Sequence, residues 1–356
     1  MDETLYMMAL SCLRGISRSK LLQLYRHWGS AAAVCERTRK ELAPEWAEAL
    51  KRASEEMEFC LRKDIRVLTP DSPDYPVRLK ECEDAPPVLF FHGNSSLNTR
   101  HVISVVGTRR ITEYGKDICQ DFINNISDLL TDILIVSGLA YGVDIHAHRA
   151  CTKKDLPTVG VLAHGLDRIY PSTHRDTAAE MVRNGGLVTE YMRNTNPDKG
   201  NFVRRNRIIA GMCDATVIVE SAEKGGALIT ARLAQDYNRD VFAFPGRIGD
   251  EYSTGCNNLI RQNGAALITS AEDLVEAMGW NSRHRKTQTA QRELFPELTE
   301  TEQRLCELLR GSDGTQINVL VAQMQLPVSQ ISAALFELEL KGMIKAISGN
   351  RFRLLS

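Results

Sequence analysis

Seven short apolar, β-branched runs recur along the middle of the chain: HVISVVG (101–107), DILIVSG (132–138), TVGVLAHG (158–165), LVTE (187–190), ATVIVE (215–220), DVFAFPG (240–246) and AALITS (265–270). Helical patterns separate most of them. Nearly continuous apolar strands alternating with helices have to be covered on both faces, which predicts a doubly wound α/β domain with a parallel sheet. In such a sheet the ligand crevice lies beyond the carboxyl ends of the strands.

The flanks read differently. Residues 1–64 place Leu5, Met8, Ala9, Cys12 and Leu13, then Leu21, Leu22, Leu24, Tyr25 and Trp28, at helical spacing, so a small all-helical domain is expected. Its LRGISRSKLLQLYRHWG stretch has two helical patterns around a GIS turn, like a helix-hairpin-helix or SAM-like module, with Ser17 where a second glycine is usual. Residues 65–93 read as a strand-and-turn segment in which prolines break every potential helix, an extended connector docked on the next domain. The polar, basic stretch 281–296 reads as a linker. Beyond it, residues 297–356 give three helical patterns followed by two short strands around a Gly-Asn turn, the order of a winged helix. The expected division is therefore 1–64, 65–280, 281–296 and 297–356.

The chain has 44 Lys and Arg against 45 Asp and Glu, a net charge of −1, so any polyanion must be held by a local basic patch. Nine cysteines are scattered singly with no CxxC pair, which points to buried thiols in a reducing cytosol. Neither a signal-peptide pattern nor a run of about 18 apolar residues is present, and a cytoplasmic location away from membranes is expected.

Glycines and charges crowd the strand ends, in VGTRR (106–110), SGLAYGVD (137–144), HGLDRIYP (164–171) and SAEKGGALITA (221–231). Glycine lets a backbone approach an anion, and helix-start amides point at it, so a phosphate site is expected on this rim. The segment DKGNFVRRNRIIAG (198–211) sets Lys199, Arg204, Arg205 and Arg207 against the single acid Asp198, with Phe202 among them. Cations that follow phosphates around a ring on which any base can stack are what single-strand binding needs. From the residues alone, a core anchor with a solvated arginine face fits about as well. Arg204 and Arg207 would share one helical face, with Ile208, Ile209 and Met212 serving the core.

Other chemistries find less footing. Asp144, His146 and His148 have a DxHxH spacing, but GVDIHAHRA reads as a helix start that turns His146 away, so no metal is expected. Neither GxGxxG in order nor a Walker A sequence occurs, and no cofactor is expected. Glu190 and Glu220 end strands at the crevice and keep a hydrolase reading open.

The motifs VVGTRRITEYG, IVSGLAYGVDIHAH, VGVLAHGLDRIYP, FVRRNRIIAG, KGGALITARLAQ and VFAFPG stand in the order seen in the DprA (Smf) family of DNA-processing proteins, and the chain resembles that family over at least 65–280. The resemblance implies an extended Rossmann-like fold, single-stranded DNA binding without catalysis, a homodimer through that domain, and loading of the RecA recombinase onto DNA during natural transformation and recombination. It implies DNA contacts for Arg109 of the VGxR motif, Gly138 of the SGxA turn, Lys199, the stacking ring Phe202, and Arg205, Asn206 and Arg207 of the RNR motif. Arg168 carries over more weakly. The sequence departs from the family pattern at Val203, where proline is usual, and at Gly225-Gly226-Ala227, where Ser-Gly-Ser is usual. The first is expected to loosen the loop holding the ring, and the second casts doubt on hydroxyl contacts there. A competing resemblance, to nucleotide N-glycosidic hydrolases of the lysine-decarboxylase-like group, lacks their PGGxGT motif.

Overall fold

The structure is a computed structural model that describes residues 3–13, 16–280, 298–310, 312, 314–347 and 350–355, without side chains for 39–44. The expected linker 281–296, Gly15 of the GIS turn and Gly349 of the Gly-Asn turn lie outside the described residues. The chain divides into two compact units, Met1–His284 and Arg285–Ser356.

The first unit opens with three helices, α1 (Glu3–Cys12), α2 (Arg18–Trp28) and α3 (Ala31–Arg62). Ser17 and Ser30 start α2 and α3 by accepting the amides of Lys20 and Ala33. Then come β1 (Arg66–Leu68), α4 (Val77–Lys80), β2 (Leu89–Gly93), β3 (His101–Val106), α5 (Glu113–Leu129), β4 (Ile133–Ser137), α6 (Val143–Lys153) and β5 (Thr158–Val161). The unit continues with α7 (Arg175–Arg183), β6 (Gly185–Thr189), α8 (Lys199–Gly211), β7 (Ala215–Ile218), α9 (Gly226–Asp236), β8 (Asp240–Ala243), α10 (Thr254–Arg261), β9 (Ala266–Leu267) and α11 (Ala271–Ala277).

All seven expected strands are present, in one sheet of order β1-β2-β6-β5-β4-β3-β7-β8-β9. From β6 to β9 the pairs are parallel. The 65–93 segment is more than a connector: β2 pairs antiparallel with β6 and β1 with β2, so it extends the sheet edge. Strand order reverses at β3, between β4 and β7, and this switch point sets the crevice.

Period-two alternation sorts the strands' side chains onto two faces. Val102 and Val106 join Leu134, Val136 and Val161 against Ile208 and Ile209 of α8 and Ala227, Ala231 and Ala234 of α9. Ile103 and Val105 join Ile133, Ile135 and Val217 against Phe122, Ile123 and Ile126 of α5 and Ala147 and Ala150 of α6. Each such aliphatic or aromatic side chain contributes about 1.5–3 kcal/mol on burial, so the strand framework is the rigid base from which the rim loops rise. Met7, Leu10, Leu21, Val34 and Ala53 of the first three helices close over Val88, Phe90 and Met192, which joins the helical segment to the sheet edge.

The second unit holds α12 (Glu300–Leu309), β10 (Thr315–Gln316), α13 (Ile317–Met324), α14 (Val328–Leu340), β11 (Ile344–Ile347) and β12 (Arg351–Leu354). Its three strands form a sheet of order β10-β12-β11 over a core of Leu305, Leu309, Leu320, Ile331, Leu335 and Leu338. This is a winged helix, with a short third strand that the sequence did not suggest. No single described helix is long and apolar enough to cross a membrane.

Candidate nucleic-acid interface

Four loops meet at the carboxyl ends of β3, β4, β5 and β6. The loop after β3 is pinned from two sides: Thr108 N donates to Glu220 O at 2.7 Å, and Thr108 O accepts Val143 N at 3.1 Å. Thr112 caps α5, and its amide and hydroxyl donate to the Glu220 carboxylate at 2.9 and 2.5 Å. Burial pushes the Glu220 carboxyl up, against the opposing pull of those two bonds. Arg109 projects exposed from this pinned loop.

The loop after β4 turns back through Gly142, whose φ of 77° would be unfavourable for any side chain, and a Cβ there would lie 2.0 Å from Thr108 O. Asp144 Oδ2 collects the amides of Gly138 and Ala140 at 3.1 and 3.4 Å. Asp144 thus lies in the first turn of α6, where GVDIHAHRA suggested a helix start, and holds the preceding turn together. His148 shares its buried side, while His146 bonds back to Gly142 O. Among the described residues no group of three His, Cys, Asp or Glu could hold a metal ion.

Arg205 and Arg207 differ from their expected place on the strand-contacting face, because both are buried, at 3% and 8% exposure. Arg205 Nη1 donates to Gly138 O at 2.6 Å and to Val161 O, with the Asp144 carboxylate close by. Burial pushes the Arg205 guanidinium down to about 10, while the nearby Asp144 charge acts in the opposite direction. Arg207 binds Glu190 at 2.5 Å and Asp84 O. Arg205 lies three, four and seven residues before Ile208, Ile209 and Met212, so helical spacing puts it on the core side. That spacing was the available signal. A cation count cannot distinguish a buried guanidinium from an exposed one. Asn206 is half-buried, and Gly138 approaches Arg205 so closely that a Cβ would lie 2.5 Å from Nη1.

What does meet at the rim is smaller and more aromatic. The Arg109 guanidinium lies over the Phe202 ring at 5.1 Å, and that of Arg205 at 5.8 Å. Tyr170, from the loop after β5, sits 5.9 Å from Phe202 between ring centroids, tilted by 55°. In the sequence Tyr170 is marked only as part of HGLDRIYP. Lys199 is exposed at the first position of α8, where the helix end adds partial positive charge. Arg168 is exposed and bonds Asp167 at 2.8 Å and Asn196 Oδ1 at 3.0 Å, which links the β5 loop to the approach to α8. Val203 lies inside an unbroken α8 and faces outward, so no loosened loop surrounds the ring. At Gly225 a Cβ would lie 2.2 Å from Ser221 Oγ, so a side chain there would require that hydroxyl to turn away.

Comparison with known proteins places the chain in a family. The family model described as DNA recombination-mediator protein A matches residues 66–279. The chain belongs to the DprA family. The DprA winged helix domain matches residues 289–350 as well. Among curated DprA relatives, Protein Smf of Synechocystis is 33% identical over 326 residues, covering 82% of this chain and 81% of its own. The DNA processing protein DprA of Bacillus subtilis is 40% identical over 215 residues, covering 60% of this chain and 71% of its own. The X-ray structure of DprA from Streptococcus pneumoniae aligns with a TM-score of 0.64 at 28% identity, over 78% of this chain and 98% of that one. A DprA structure from Helicobacter pylori, described for its single-stranded DNA binding mode, aligns with a TM-score of 0.54 at 29% identity, over 60% of this chain and 95% of that one.

Proposed function

We propose that this DprA-family chain binds single-stranded DNA at the rim crevice without doing chemistry on it, and passes the strand to a RecA-type recombinase in the cytoplasm, as a homodimer, during DNA uptake and recombination. The observation that carries the reading is the exposed Arg109 guanidinium over Phe202, beside Lys199 at a helix start. Together they supply a phosphate contact and a base platform within one strand's width. Of the expected contacts, Arg109, Lys199, Phe202 and Arg168 would touch the strand. Arg205 and Gly138 would shape the crevice from beneath, and Arg207 would hold α8 on Glu190. Both carboxylates that could have served a hydrolase are engaged by the protein, Glu190 by Arg207 and Arg18 and Glu220 by Thr112, which supports binding without catalysis.

The test is oligothymidine binding measured against salt. Arg109→Ala should weaken binding at low salt and reduce the slope of log K against log salt by about 0.7, one single-strand phosphate contact. Phe202→Ala should cost about 1–3 kcal/mol and leave the slope unchanged. Unaltered affinity in both variants would overturn the reading. Repeating the gel shift with duplex DNA, and with purified RecA present and absent, tests strand preference and delivery. Free base released from nucleoside monophosphates would favour the hydrolase instead.

A further inference from the structure

The rim holds an aromatic ring that is more open than Phe202. Tyr170 is 47% exposed, whereas Phe202 is half-buried and already has two guanidinium groups over it. The Tyr170 hydroxyl makes no hydrogen bond among the described residues, so the phenol is not anchored by its polar end. A ring serving only to pack would be covered, and this one stands half-open against Phe202, over which Arg109 lies, and two residues from the exposed Arg168. We infer that Tyr170 is a second base-stacking platform, and the first that an incoming strand meets.

The geometry defines how it would work. A base sandwiched between two rings needs them nearly parallel, with a full ring's thickness of space between. Tyr170 and Phe202 are instead tilted at 55° with centroids 5.9 Å apart, already in contact as an aromatic pair. The two rings therefore take two different bases, and the strand must bend between them. The base on Tyr170 needs no rearrangement, while the base on Phe202 has to share or displace the Arg109 guanidinium. Stacking on a ring is indifferent to base identity, so this second platform adds affinity without sequence preference.

The inference rests on the crevice being the single-strand site, and the experiment separates the two. An oligothymidine carrying one 2-aminopurine at successive positions is bound to the wild type and to Tyr170→Phe, Tyr170→Leu, Tyr170→Ala and Phe202→Ala, each checked for an unchanged urea midpoint. Tyr170→Leu fills the space without a π-face and serves should the alanine variant not fold. The expected result is quenching at two neighbouring positions in the wild type and in Tyr170→Phe. In Tyr170→Leu, one of the two positions should lose its quenching and affinity should fall by roughly 5- to 100-fold. Loss in Phe202→Ala with full affinity in Tyr170→Leu would overturn the inference and leave the binding site standing. Equal loss in Tyr170→Phe and Tyr170→Leu, or loss with both quenched positions intact, would also overturn it, because the ring would then act through structure. No loss in any variant would remove the site and the inference together.

Discussion

His148 lies in α6 with its Nδ1 2.7 Å from Thr158 Oγ1, and its Nε2 is buried without a partner among the described residues. Thr158 donates its only hydroxyl proton to Ile135 O, so Nδ1 carries the ring proton and Nε2 is bare. Burial, aided by the charges of His174 and Arg205, pushes His148 down from 6.5 to about 3. The unfolded chain takes up this proton near pH 6.5 and the folded chain does not, so the stability contribution is complete above that value and lost as pH falls toward 3. The slope from this residue approaches about 1.4 kcal/mol per pH unit. Urea midpoints measured from pH 7.5 to 5 should fall accordingly, and less steeply in His148→Gln. The same scale shows what single residues concealed. Phe202 and Arg109 were legible as a ring and a cation, but their contact arises from a helix and a loop distant in sequence. Arg205 resembled its exposed neighbour Arg204 in every compositional respect, and only its phase along α8 marked it as a core-side group.

At the scale of elements, the parallel strands were readable because burial on both faces demands unbroken apolar runs. The place of β1 and β2 at the sheet edge was not, because a strand-and-turn pattern broken by prolines does not name its partner and the pairing of β2 with β6 is a long-range choice. The loops after β3 and β4 show a similar limit: glycine marks a turn in sequence but not what the turn must clear. Gly142 combines a φ of 77° with the closest approach to Thr108 O. Gly142→Ala should therefore destabilise the protein by about 1–3 kcal/mol and shift the segment that carries Arg109. Oligothymidine affinity should drop even at temperatures where circular dichroism reports a folded chain. Full stability and full affinity in that variant would mean that the two loops are not coupled through this contact.

The whole molecule comprises a rim-bearing unit and a winged helix whose surfaces differ in character. Along α14 the outward positions are Val328, Ser329, Gln330, Ser332, Ala333, Phe336, Glu337, Glu339 and Leu340, and the Lys341 that follows is bound to Glu302 at 2.6 Å. A helix so poor in free cations has little with which to neutralise duplex phosphates. A chain truncated after Trp280 should keep its oligothymidine affinity, and the full chain should gain little duplex binding over it. Gel shifts with both oligonucleotides would settle the comparison, and loss of single-strand binding on truncation would assign the winged helix a direct share.

Arg205 joins the β4 turn at Gly138 to the end of β5 at Val161, while its guanidinium also underlies Phe202. One buried side chain thus fixes the spacing of three segments before any strand arrives. Flexible loops would have to surrender their freedom on binding, which weakens association. Here that ordering occurs during folding, so the crevice can meet a disordered strand as a preformed mould, and the entropic cost of binding falls mainly on the DNA.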